Sequence, residues 1–254
     1  CGVRVTPINW HLTGDEIGYI VDNCDAKLLI ADAMFADKAI AAMGYSDKLL
    51  ACIGIGIGRA IADVADFDEV INQYSSENIE APCKGGGMLY TSGTTGRPKG
   101  VYRKDKPTVL PDFSERGFAG GNVVALCTGP AYHAAPLQID VLTPLVSGAS
   151  LVFMDKWDPE LTLRLIDQYR VTHCHMVATM FHRLLKLDQT AKDRYDLSSL
   201  RRVLHGAAPC PVHVKQQMIS WFGPVLVEYY AATEGGGGFI IDSVDWLKKP
   251  GSVG

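Results

Sequence analysis

Tyr90 to Gly100 reads Y-T-S-G-T-T-G-R-P-K-G, and this stretch decides what kind of chain the rest must be. Three glycines, four Ser/Thr hydroxyls and a single lysine follow an apolar run. Glycine permits positive φ and lets backbone N–H groups come close to a ligand, which Gly93 and Gly96 would do here. Successive N–H groups in such a turn form a concavity that binds anions. Thr91, Ser92, Thr94 and Thr95 add hydroxyl donors, and Lys99 adds a compact positive charge suited to phosphate. The pattern predicts a loop that wraps a polyphosphate. It is not a Walker A loop, because no Gly-Lys-Ser/Thr triplet opens a helix here.

On either side of this loop, helix and strand patterns alternate. Thr13 and Glu16 make a capping box, and Ile17, Ile20, Val21 and Cys24 follow at helical spacing. Strands are expected over 27–31 and 49–53, around an alanine-rich helix over 33–43, with a short helix over 68–74. Beyond the loop, strands are expected over 122–127, 150–154, 171–177, 202–205 and 225–230. A buried helix is expected over 137–146, and another from Asp158-Pro159 with Leu161, Leu165 and Tyr169 as its apolar face. Further helices are expected over 180–187 and 212–222. Such alternation is the sign of an α/β fold with layered, mostly parallel sheets flanked by helices. Gly54, Gly56 and Gly58 could open a dinucleotide fingerprint, but Arg59 stands where its third glycine belongs, so a connector is expected.

Length and composition narrow the function. The 254 residues, 47% hydrophobic and 20% charged, suit one large domain or two small ones of ordinary globular type. A net charge of −4 offers no basic footprint, which argues against a nucleic-acid partner. No apolar run is long enough for a transmembrane segment. The seven cysteines are odd in number and never form a C-x-x-C pair, as in a reducing, cytoplasmic setting. The chain opens at Cys1 inside an apparent element and stops in a turn at 250–254, so a piece truncated at both ends is expected.

Four further constellations could bear on chemistry. Glu228 to Glu234, E-Y-Y-A-A-T-E, lies at the carboxyl end of a strand, where ligands collect in open α/β sheets. His205-Gly206-Ala207-Ala208-Pro209 follows another strand with residues small enough for a flat ring to pack on the backbone. Gly129 to His133 places a histidine between these motifs and the loop. His173-Cys174-His175 puts two imidazoles on one strand face but suggests no third ligand, and zinc needs at least three, so a packing role is expected.

Taken in order, these motifs resemble the acyl-adenylate-forming (AMP-binding) superfamily, in particular fatty-acyl-CoA synthetases, over essentially all 254 residues. Tyr90–Gly100 resembles its phosphate signature. Tyr230, Thr233 and Glu234 match its Tyr-Gly-x-Thr-Glu motif, with Ala231 in place of the glycine, and 206–209 resembles its Gly-Gly-Ala-Pro turn. The resemblance implies that Thr91 to Gly96 and Lys99 bind ATP phosphates, and that Gly206, Ala207 and Ala208 lie against adenine and the acyl pocket. It also implies that Tyr230 stacks on adenine, Thr233 bonds the nucleotide phosphate, Glu234 holds Mg²⁺, and His133 lines the junction of acyl pocket and thiol channel. Ala131-Tyr132-His133 lacks the aspartate that would hold a substrate amine, which disfavours an amino acid. The implied activity is ATP-dependent activation of a carboxylic acid, a fatty acid above all, to an acyl-adenylate, followed by thioester formation with CoA. Two alternatives stay open: an adenylation domain that loads a carrier protein, and a non-catalytic nucleotide-binding fragment. The implied domain is part of a large N-terminal AMP-binding domain over 1–254, with a subdivision at 84/85 open. Its C-terminal lid domain would lie beyond the chain, so little turnover by 1–254 alone is expected. An apolar face bared by truncation would favour self-association. The acid itself is not encoded in any one spacing.

Overall fold

The computed structural model describes residues 2–58, 63–91, 96–102, 122–232 and 238–254. The chain divides into two compact units, 1–105 and 106–254.

In the first unit the elements run β1 (Arg4–Val5), α1 (Gly14–Asn23), β2 (Leu28–Asp32), α2 (Ala36–Met43), β3 (Ala51–Ile55), β4 (Val64–Asp66), α3 (Phe67–Ile71), β5 (Gly86–Thr91) and β6 (Lys99–Tyr102). Helix α1 begins where the sequence places it. The Thr13 hydroxyl accepts from the Glu16 N–H, and the Glu16 carboxylate accepts from the Thr13 N–H at 2.8 Å. The side chains at 17, 20 and 21 are buried as their spacing requires. The helix expected over 33–43 begins instead with a 3₁₀ turn, Ala33–Phe35, because the Asp32 carboxylate caps the Met34 N–H. Strands β2, β3 and β4 form one parallel sheet, whose core joins Ile17, Val21, Leu29, Ala39 and Cys52. Gly54 lies inside β3, and Gly56 and Gly58 follow with φ of +74° and +65°, conformations that glycine adopts without strain. A second sheet pairs β1 with β5 in parallel and β5 with β6 in antiparallel register.

The second unit runs β7 (Val124–Cys127), a π-helix (Pro136–Leu142), α4 (Thr143–Val146), β8 (Ser150–Phe153), α5 (Pro159–Tyr169), β9 (His173–Met176), α6 (Ala178–Leu185), α7 (Gln189–Asp193), β10 (Arg202–His205), α8 (Val212–Phe222), β11 (Leu226–Ala231), β12 (Gly238–Asp242) and α9 (Ser243–Lys248). Its six strands are ordered β12-β11-β10-β9-β7-β8, parallel except for β12. Seven of the nine strand pairings among the described residues are parallel, so the α/β reading holds. Among the described residues no helix is long and apolar enough to cross a membrane.

Two expectations about helix faces need correction. The Asp158 cap is present, its carboxylate accepting from the Leu161 N–H at 2.8 Å, but α5 buries Thr162, Leu163 and Ile166, and Tyr169 is exposed. Thr162 can face the core because its hydroxyl donates to the Asp158 carbonyl at 2.7 Å, leaving no unpaired polar group. Over 137–146 the chain is a π-helix passing into α4. Pro136, Asp140, Thr143 and Pro144 are buried, whereas Leu142, Leu145 and Val146 are exposed. The wider turn shifts the inward face off the apolar residues.

Candidate active site

The two strands that flank residues 92–98 pair as an antiparallel hairpin. Thr91 ends β5, Lys99 begins β6, and the two are cross-strand partners. Lys99 is exposed, so its ammonium is available to a ligand. Helix α1 supports this hairpin: the Tyr19 hydroxyl donates to the Pro98 carbonyl at 3.2 Å, and the Arg97 guanidinium lies 5.2 Å from the Tyr19 ring centre. One turn on, the Tyr90 hydroxyl donates to the Asn23 side-chain carbonyl at 2.6 Å. Burial raises the Tyr90 phenol, so it stays a neutral donor. Gly96 has φ +90°, a glycine conformation. Ser92, Gly93, Thr94 and Thr95 lie outside the described residues, as do Thr233 and Glu234.

The second unit carries Gly206, Ala207, Ala208, Tyr230 and His133. Strands β10 and β11 are parallel with His205 opposite Glu228, so Gly206 and Tyr229 come next at their carboxyl ends. A Cβ on Gly206 would stand 2.6 Å from the Tyr229 carbonyl oxygen and 2.7 Å from its ring. The small residue expected there is therefore required, but the ring packed on it belongs to Tyr229 itself. Ala207 has φ +66°, a left-handed conformation that costs an alanine energy and that the glycine of the resembled turn would adopt freely. Tyr230, next on β11, is 66% exposed and offers a free aromatic face. Its partner across the hairpin, Phe239, is 60% exposed. His133 is exposed at the turn before the π-helix, with its ring 4.7 Å from that of Tyr132.

Around these residues lies a polar network that the motifs do not reveal. On one face of the sheet, His175 Nε2 and the Tyr229 hydroxyl share a hydrogen bond of 2.9 Å. Burial lowers His175 to about 4 and pushes the Tyr229 phenol up to about 12, so both are neutral near pH 7. Asp140, on the π-helix and 1% exposed, faces the backbone amides of His175 and Thr128, and burial still holds its carboxyl well above the usual range. On the other face, the Lys215 ammonium donates to Glu228 Oε2 at 2.6 Å. Lys215 is wholly buried, and its nitrogen lies 4.6 Å from the Trp246 ring centre. Burial pushes the ammonium down, while the bond to Glu228 holds it up. His205 Nε2 stands 3.9 Å from the same carboxylate oxygen, and burial lowers this imidazole to about 3. It is therefore neutral, and neither ring nitrogen has a hydrogen-bond partner among the described residues.

Signals for this network exist in the sequence. Lys215, Met218, Ile219 and Phe222 form one helical stripe, so the lysine sits on a buried face. Glu228 shares a strand face with buried Leu226. A charge at each inward position announces a buried pair. His173 and His175 do share a face, as the strand period requires, with His173 Nδ1 2.8 Å from the Thr172 hydroxyl and His175 on Tyr229. Among the described residues no cluster of three His, Cys, Asp or Glu side chains could hold a metal.

Comparison with known proteins identifies the family. The sequence matches the AMP-binding enzyme family over residues 1–254. A methyl-dioxo-octahydroindenyl-propanoyl:CoA ligase of Mycobacterium tuberculosis is 30% identical over 252 residues, covering 93% of this chain and 48% of that protein. The medium/long-chain-fatty-acid–CoA ligase FadD8 of the same organism is 30% identical over 229 residues, covering 85% of this chain and 39% of its own length. The chain thus spans about half or less of the length of these curated relatives. The crystal structure of the N-terminal domain of FACL13 from M. tuberculosis superposes with a TM-score of 0.79 at 25% identity, covering 99% of this chain and 62% of that one. By sequence and by fold, the chain belongs to the AMP-binding enzyme family.

Proposed function

We propose that the chain serves an ATP-dependent carboxylate–CoA ligase, in which Lys99 and the hydroxyls of Thr91, Ser92, Thr94 and Thr95 take the polyphosphate and Tyr230 takes the adenine. The observation that carries this reading is the bare aromatic face of Tyr230 at the carboxyl end of a parallel strand, one strand over from a glycine turn. Glu234 would hold Mg²⁺, which suits a hard cation that takes a carboxylate and completes its shell with phosphate oxygens and water. Bound there, the ion would neutralise developing phosphate charge. The reaction needs positioned donors more than a general base. A carboxylate oxygen attacks the α-phosphorus of ATP, pyrophosphate leaves, and an acyl-adenylate remains. The CoA thiol then attacks the acyl carbon, and AMP leaves. Lys99 and the loop hydroxyls stabilise the departing charge, Thr233 bonds the nucleotide phosphate, and His133 lines the route of the thiol. The names of the relatives cover fatty and polycyclic acids, and the substrate class is an apolar carboxylic acid in a cytoplasmic setting.

Calorimetric titration with Mg·ATP and acid-dependent pyrophosphate release, over aliphatic, aromatic and polycyclic acids, test the reading. Lys99→Ala should weaken Mg·ATP binding about tenfold or more, the worth of a hydrogen bond to a charged group. Its stability should change by no more than about 0.5 kcal/mol, because the side chain is exposed. Pairing it with Tyr230→Ala in a double-mutant cycle measures whether both act on one ligand. Wild-type protein that neither binds Mg·ATP nor releases pyrophosphate with any of these acids would sink the proposal.

A further inference from the structure

We infer that Lys215 is a positioning residue for the β11–β12 hairpin, which presents Tyr230 and whose connecting residues include Thr233 and Glu234. The consequence for nucleotide binding rests on the function proposed above; the mechanical claim does not. One ammonium reaches two elements besides its own helix. It donates to Glu228 in β11 at 2.6 Å and lies 4.6 Å from the Trp246 ring centre in α9, the helix that directly follows β12. Glu228 is itself paired with Ile241 of β12 and with His205 of β10. The Ser243 hydroxyl closes the arrangement by donating to the Leu226 carbonyl at 2.7 Å. Strand β11, and the helix that follows β12, are thereby tied to α8 by a single side chain.

Stability does not account for this pair. Desolvating two charges costs several kcal/mol each, and a well-packed apolar pair of equal volume is often as stable or more so. What a charged hydrogen bond adds is direction. Glu228 and Tyr230 lie on the same strand face, one pleat repeat apart. Fixing the Glu228 carboxylate at its buried end therefore sets where the exposed Tyr230 ring stands. Neutral His205, at 3.9 Å, does not take over the carboxylate. Lys215 is the only ammonium or guanidinium bonded to Glu228 among the described residues.

The test compares wild type with the double variant Lys215→Met/Glu228→Leu, which removes both charges and keeps the volume. Hydrogen exchange is followed in the unliganded chain, and Mg·ATP is titrated by calorimetry. Positioning predicts a thermal midpoint no lower than wild type. Amide exchange over 226–231 and 238–242 should be about tenfold faster while 173–176 is unchanged, and the Kd for Mg·ATP should rise about tenfold. Wild-type exchange in the hairpin, or an equal rise in every strand, overturns the inference. If the double variant does not fold, Trp246→Leu decides, since it leaves the ion pair intact. Faster exchange confined to 238–242 supports positioning, and a uniform or absent change overturns it. Hairpin exchange that responds as expected in a protein that never binds Mg·ATP leaves the mechanical role standing and removes the nucleotide reading instead.

Discussion

Both chemical motifs ride on antiparallel hairpins, yet the two hairpins are held in opposite ways. The β5–β6 stem buries one side chain, Met88, and is held by surface contacts from α1: Tyr19 to the Pro98 carbonyl, Arg97 over Tyr19, and Tyr90 to Asn23. The β11–β12 stem closes one edge of a six-stranded sheet and is held from α8 by a fully buried ion pair. Exposed and partly buried contacts of the first kind contribute a few tenths to about 1 kcal/mol each and yield to a ligand at little cost. A buried pair fixes geometry before any ligand arrives. The difference suits the proposed tasks: a polyphosphate is long and flexible and gains from a pliable grip, whereas a planar ring needs a preset platform.

The largest test of that contrast is Lys215→Met alone. It strands the Glu228 carboxylate in the interior, and breaking a buried pair this way costs about 3–5 kcal/mol. Urea unfolding should show that loss, against no more than about 0.5 kcal/mol for Lys99→Ala on the other hairpin. A loss below about 1 kcal/mol for Lys215→Met would mean that the second hairpin is held no more firmly than the first.

Next comes a pair of glycines. A methyl on Gly206 would meet the Tyr229 backbone carbonyl at 2.6 Å, and backbone cannot step aside. A methyl on Gly100 would stand closer still, 2.1 Å, but to the terminal methyl of Met88, which can change rotamer. Gly206→Ala should therefore cost about 1–3 kcal/mol by overpacking, and Gly100→Ala less than about 1. Equal losses in denaturant unfolding would erase the distinction between a rigid and a yielding hairpin.

Acid should act on the second unit through His205. Its imidazole falls from 6.5 to about 3 on folding. A lowered pKa on a base means the unfolded chain takes up the proton first, so stability is full above about pH 6.5 and falls as pH drops toward 3. At pH 5 the cost is about 2 kcal/mol. Asp140 works the other way, since burial makes its folded form keep a proton that the unfolded chain releases. The diagnostic is therefore the difference between wild type and His205→Leu. The variant should gain about 2 kcal/mol on wild type between pH 7 and pH 5, read from urea unfolding at the two pH values. A difference that does not change with pH would show that His205 takes up its proton in the folded state.

The contrast also explains how far the sequence could be read. Backbone periodicity and caps are local, so Thr13, Asp158 and the 212–222 helix emerge from a few neighbouring residues. The glycine-rich motif at 90–100 is visible for the same reason, although its hairpin is not: the pairing of Thr91 with Lys99 is set by the sheet and not by the glycines between them. β12 and α9 carry no short pattern that marks them, and over 137–146 the pattern announces a helix but not the π-turn at 136–142. The Lys215–Glu228 pair joins residues 13 apart on different elements, and no periodicity reports a partner. What was legible was an anomaly, a charge on each of two apolar faces, whose meaning is that the two must meet. Tyr229 was hidden by its neighbour, because the motif directs attention to Tyr230 while the inner tyrosine packs on Gly206 and bonds His175.

The smallest expected effect is the most discriminating for the first hairpin. Tyr19→Phe removes one hydroxyl and its bond to the Pro98 carbonyl, while keeping the ring on which Arg97 lies. The freed carbonyl is only partly buried and can turn to water, so stability should fall by only about 0.5–1 kcal/mol. If α1 grips this hairpin as lightly as the structure indicates, hydrogen exchange should quicken over 88–91 and 99–102 and nowhere in the second unit. Mg·ATP affinity should change less than threefold, because under the proposed function a bound polyphosphate would itself organise the strand ends. A tenfold loss of affinity from this one hydroxyl would mean that the loop is preset after all, and the two hairpins would then share one design.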